Sequence, residues 1–164
     1  MDTTPSDGQA ERHDPGGVFR ADLPAGLTSA RQARSAVRQA LAAWGMDDPS
    51  GDAELLASEL VANAAEHAGT PVGLALRRHT GPAGERGITC EVTDTSPSLP
   101  QPRQAKPDDE RGRGLGIVTA LATASGVRTE SAGKTSWFTL ALRDRQEATT
   151  QPGRQAEPEA EAGA

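Results

Sequence analysis

Two stretches of alternating character constrain this chain more than anything else in it: Val72, Leu74 and Leu76 within PVGLALRRH, and Ile88, Cys90 and Val92 within GITCEVTD. Alternation at period two places every second side chain on one face of a sheet. The segment between them, TGPAGER, is rich in turn-forming residues, so the two runs read as a hairpin that delivers Asp94 to a strand end. A hairpin with one apolar face requires a second layer to cover it.

Upstream segments supply that layer. VFRADL, at 18–23, reads as a short strand ending in a Pro-Gly turn. From Thr28 or Ser29, either an N-cap, a helix running to Gly45 places Ala33, Val37, Leu41 and Trp44 on one stripe. Its outer face carries Arg31, Arg34 and Arg38, a basic ridge in an otherwise acidic protein that is either a solvated face or a docking surface. After the loop MDDPSG, Asp52 can cap a second helix, AELLASELVANAAEHA, which closes at Gly69.

Downstream, residues 95–111 show no periodicity and contain four prolines, the character of a lid over a ligand. A glycine cluster, Gly112, Gly114 and Gly116, opens an apolar helix expected to run to Gly126. VRTES, a turn at AGK, and TSWFTLAL finish the pattern, with Phe138, Leu140 and Leu142 alternating against Trp137, Thr139 and Ala141. The order predicts an α+β fold, a two-layer α/β sandwich with helices on one face of a mostly antiparallel mixed sheet.

Composition sharpens the boundaries. Residues 1–16 and 144–164 hold too few apolar side chains to offset chain entropy and are expected to be a disordered arm and a disordered acidic tail around a domain at 17–143. The net charge of -6 argues against a nucleic-acid footprint. The single cysteine, Cys90, sits in an alternating run and reads as a buried, inert thiol. An acidic N-terminus without an apolar leader, and no long apolar run, lead to the expectation of a cytoplasmic protein without a membrane span.

The polar residues are the chemically informative ones. In ELVANAAEHAG, Glu59, Asn63 and Glu66 or His67 recur at spacings that stack on one side of a helix. Glu59 can take a proton from a hydroxyl or orient a water, and Asn63 offers the hard amide oxygen that magnesium accepts beside phosphates; surface polarity is the alternative for both. Asp94 is an acceptor-only carboxylate that matches the exocyclic N6 donor of adenine, or else a turn residue. Glycines before a helix can admit phosphate. The cluster at 112–116 nevertheless follows a long loop rather than a first strand, and no Gly-Lys-Ser/Thr closes it, so dinucleotide-binding and P-loop patterns both fail.

Taken in order, E-L-V-x-N-A-x-x-H-A, then V-T-D at a strand end, then R-G-x-G-L-x-I-V, then G-K-T-x-W-F, the chain resembles the GHKL ATP-binding superfamily with its Bergerat fold, and more closely the small bacterial anti-sigma factor serine kinases. The resemblance covers roughly residues 18–142. It implies ATP and Mg2+ as cofactors, Glu59 as catalytic base and Asn63 as magnesium ligand. It further implies Asp94 at adenine N6, and Gly112, Arg113, Gly114, Leu115 and Gly116 in the phosphate-covering lid. Thr135 would assist at the adenine through water. Where many members place a glycine two residues after the adenine aspartate, this chain has Asp94-Thr95-Ser96-Pro97, a stiffer pocket base, and His67 reads as a helix-end packing residue.

The implied activity is a serine/threonine protein kinase that phosphorylates an anti-sigma factor antagonist of the STAS type and binds a sigma factor, acting as a homodimer. An ATP-gated module that binds without turnover is the alternative. A sensor histidine kinase would require a phosphoacceptor helical hairpin, and only a short segment with His13 precedes the core.

Overall fold

Alternation in the chain becomes a sheet of seven strands. The computed structural model describes residues 12–14, 16–48, 51–95 and 114–144. Its strands are β1 (Arg12–Asp14), β2 (Val18–Leu23), β3 (Met46–Asp47), β4 (Val72–Thr80), β5 (Arg86–Asp94), β6 (Ala124–Glu130) and β7 (Gly133–Asp144). They lie in the order β1-β2-β4-β5-β7-β3, with β6 also pairing with β7. Every pairing among the described residues is antiparallel, as an α+β layer of helices on a mostly antiparallel sheet leads one to expect.

Three helices, α1 (Ser29–Trp44), α2 (Asp52–Ala68) and α3 (Gly114–Leu121), accompany the sheet among the described residues. The apolar phase of each strand is buried: Phe19, Ala21 and Leu23 on β2, Val72, Leu74 and Leu76 on β4, Ile88, Cys90 and Val92 on β5, Phe138 and Leu140 on β7. Helix α1 contributes Ala33, Val37, Leu41 and Trp44, the expected stripe, to the same core, and α2 adds Leu56, Leu60 and Val61. Each buried aliphatic side chain contributes roughly 1.5–3 kcal/mol. With two Phe and two Trp in the whole chain, the core is filled by alanine-bearing helices such as Ala36, Ala40, Ala53, Ala57 and Ala64 coming close, not by large rings. Burial also pushes the Cys90 thiol's pKa up, which keeps it protonated and unreactive.

The uncovered face of the sheet is polar. Glu91 on β5 pairs with Arg77 of β4 and Arg128 of β6, and the hydrogen bond from Arg128 is the main reason its carboxyl lies below the ordinary range.

Three departures from the sequence reading have local causes. Strand β1 lies inside the segment expected to be an arm; pairing Arg12, His13 and Asp14 with Arg20, Phe19 and Val18 uses backbone groups, so it does not need apolar side chains. Helix α3 stops at Leu121, short of Gly126, because Thr123 N–H donates to the Thr139 carbonyl at 2.8 Å and the following β6 joins the edge of β7. Thr, Ser, Gly and Val are weak helix formers, and a Cβ at Gly126 would sit 3.0 Å from the Trp137 ring, so the glycine lets that indole lie close. The loop after Gly45, third, contains β3, whose Met46 is buried and pairs with the end of β7.

Capping of α2 also differs. Asp48, not Asp52, receives the free amides: the N–H groups of Asp52, Ala53 and Glu54 donate to its carboxylate at 3.0, 2.9 and 3.4 Å. Burial raises the Asp48 pKa, while these three bonds act in the opposite direction. At their other ends α1 and α2 close as read from the sequence, with Gly45 and Gly69 at φ 64° and 59°, a left-handed conformation that glycine adopts without cost. Replacing Asp48 by Ala should lower stability by about 1–2 kcal/mol in urea denaturation, whereas Asp52→Ala should cost a fraction of that.

Candidate functional site

Helix α2 sets the axis of the site. Glu59 and Asn63 stand one turn apart, both half-buried, beside the buried stripe of Leu56, Leu60 and Ala64, while Glu66 is exposed. The far end of α2 is tied to the end of β5: Thr70, just past the cap at Gly69, and Thr95, just past Asp94, share a hydroxyl hydrogen bond of 2.9 Å. Along the helix axis, Asn63 lies about 7.5 Å and Glu59 about 13.5 Å back from its last residue, at about 1.5 Å per residue. Asp94, Asn63 and Glu59 therefore form a graded series starting at one end of the sheet. Helix α3 packs on α2 and is anchored to the core by the buried Val118, with Gly116 exposed near its start.

Asp94 continues the core-facing phase of Ile88, Cys90 and Val92 and is 2% exposed. Directly across the ladder is Lys134, also 2% exposed, whose Nζ lies 3.3 Å from Asp94 Oδ1. A charge buried to this degree requires a partner, and each supplies the other's. Thr135 does not join them. Being one residue further along, it is in register with Thr93, and the two hydroxyls bond at 3.0 Å on the opposite, polar face. The Glu130 carboxylate accepts a longer bond from it at 3.4 Å.

Lys134 is a buried charge that the resemblance does not point to, though the alternation marks it. In TSWFTLAL the even positions face the core, and counting back from Phe138 puts a lysine where an apolar side chain is expected. Of the glycine-run residues, Gly112 and Arg113 lie outside the described residues, as do the loop expected to be a lid and the side chains of Leu115 and His67. A Cβ at Gly116 would meet open space, so packing does not demand the glycine there. No group of three or more His, Cys, Asp or Glu that could hold a metal ion occurs among the described residues.

Gly133 holds the ion pair in place. Its φ is 148°, and a Cβ on it would lie 2.0 Å from the Asp94 carbonyl oxygen, a backbone atom that cannot swing away. Gly133→Ala should therefore destabilise the fold by at least about 2 kcal/mol and lower the thermal midpoint, while Gly116→Ala should leave it nearly unchanged.

Residues 23–140 match the family model of the histidine kinase-like ATPase domain. No curated protein matches the chain at a significant level. The matched stretch takes in α1, α2 and α3, the sheet from the end of β2 to Leu140, and with them Glu59, Asn63, Asp94 and Lys134. A domain of this kind implies ATP binding. This chain belongs to the histidine kinase-like ATPase family.

Proposed function

We propose that the chain is a serine/threonine protein kinase that uses magnesium-ATP to phosphorylate an anti-sigma factor antagonist of the STAS type, and that it binds a sigma factor when that antagonist is unavailable. The observation that carries this reading is the graded series on one helix: a carboxylate at Glu59 one turn from the amide of Asn63, on a helix whose far end is tied through Thr70 to Thr95, the residue after Asp94.

With the purine at Asp94, the triphosphate of ATP runs back along α2 toward Asn63. The Asn63 side chain oxygen would hold a magnesium ion bound with the nucleotide, and that ion would supply neutralisation of phosphate charge. Glu59, one turn before Asn63, is the carboxylate that this reading assigns to the incoming serine or threonine hydroxyl. Its carboxylate accepts the hydroxyl proton as the oxygen bonds to the γ-phosphorus and the bond from that phosphorus to the β-phosphate oxygen breaks, releasing ADP. Phosphoryl transfer asks a protein chiefly for positioning and charge neutralisation, which these few groups can provide.

For protein partners, the docking surface is the exposed face of α1. Arg31 and Arg34 are exposed, whereas Arg38 leans across to Glu54 of α2 at 3.5 Å and serves partly to join the two helices. Charge of this kind steers association more than it adds affinity. The protein acts as a homodimer in this reading.

Two experiments test the proposal. Glu59→Gln should keep ATP affinity and lose phosphoryl transfer to the antagonist by about a hundredfold to ten-thousandfold, while Asn63→Ala should lose the magnesium dependence of ATP binding. Wild-type protein that binds ATP but transfers no label would replace the kinase with an ATP-gated binding module. Reversing the charge of Arg31 and Arg34 together should weaken capture of the protein partners at low salt and matter less as salt rises; unchanged capture would discard the ridge.

A further inference from the structure

We infer that Lys134 is a second base-reading residue, which donates a hydrogen bond to ring nitrogen N1 of adenine while Asp94 accepts from the N6 amine. The inference rests on the ATP-binding reading of the site and adds to it a residue that selects the base.

Its first support is position. Lys134 is the cross-strand neighbour of Asp94, on the same face of the sheet, with its ammonium 3.3 Å from Oδ1. Any planar group that reaches the Asp94 carboxylate edge-on meets the Lys134 ammonium beside it. Chemistry gives the second support. The pairing edge of adenine carries a donor at N6 next to an acceptor at N1. The ion pair presents an acceptor-only carboxylate next to a donor-only ammonium, so both positions are matched by a direct bond.

Third, Thr135, to which the resemblance gives the water-mediated contact, faces the other side of the sheet. Lys134, on the same face as Asp94, is the neighbouring side chain that can make a direct contact instead. The geometry of Gly133 against the Asp94 backbone keeps the two strands close enough for this. Burial strengthens the discrimination, because a ligand that offers no acceptor to a desolvated ammonium leaves the bond unmade, with no water to replace it.

Guanine distinguishes this register from its reverse. With Asp94 at the six-position, guanine sets its O6 acceptor against the carboxylate and its N1–H donor against the ammonium, a mismatch at both atoms. The opposite register, Lys134 on O6 and Asp94 on N1–H, would favour guanine.

Equilibrium binding of ATP, 1-deaza-ATP (a C–H in place of N1) and GTP to the full chain tests the assignment, with fold checked by thermal melting. Wild type should bind ATP about tenfold to a hundredfold more tightly than 1-deaza-ATP, the range expected for a hydrogen bond to a charged group, and GTP should be weaker than ATP. Lys134→Met should lower ATP affinity and bring the ATP to 1-deaza-ATP ratio close to one. Equal binding of ATP and 1-deaza-ATP by wild type, or GTP binding at least as tight as ATP, would overturn the assignment while leaving nucleotide binding intact. Should folded wild type bind none of the three, the ATP site itself would fall, and this assignment with it. Because the analogue comparison uses unaltered protein, it decides the matter even if Lys134→Met fails to fold.

Discussion

The register between β5 and β7 is the constraint on which both core and site depend. One alignment of the two strands sets Ile88 opposite Leu140 and Cys90 opposite Phe138 inside the core, and it also sets Asp94 opposite Lys134 and Thr93 opposite Thr135. A slip of one residue would turn the apolar phase of β7 to solvent and strand two buried charges apart. The hydrophobic pattern and the ion pair therefore specify the same pairing, and Gly133 locks it where the backbones approach too closely for any side chain.

From that fixed strand end, α2 acts as a rigid spacer. Its start is held by Asp48, which gathers three backbone amides, and its end by the hydroxyl bond between Thr70 and Thr95. Between those anchors a helix permits no independent movement of its residues, so Asn63 and Glu59 keep constant offsets from Asp94. Precision of this kind is what phosphoryl transfer requires, since a shift of about 1 Å in positioning costs rate steeply. Alanines on α1 and α2 make the arrangement close-packed despite the scarcity of aromatic residues.

Much of this was legible before any coordinates. The stripe on α1, the glycine stops at Gly45 and Gly69, the hairpin of β4 and β5 and the alternation in β7 all depend on local periodicity and local backbone chemistry. The placing of Glu59 and Asn63 on one helix flank follows from the same rule. Capping by Asp48 was not legible: Asp52 and Asp48 both precede α2, and a turn through Gly51, at φ 69°, brings the more distant one to the amides. Likewise the end of α3 is decided by β7, which offers its outer edge to the residues after Leu121.

The amino-acid order by itself determined which segments become helix or strand, which face of each is apolar, and which polar residues share a helix flank, because those properties repeat with the 3.6- and 2-residue periods of the local backbone. Only the tertiary structure decided what meets what across the sheet. Lys134, not Thr135, faces Asp94 because antiparallel register is settled by the summed burial of two whole strands, and no single residue of either strand contains that information.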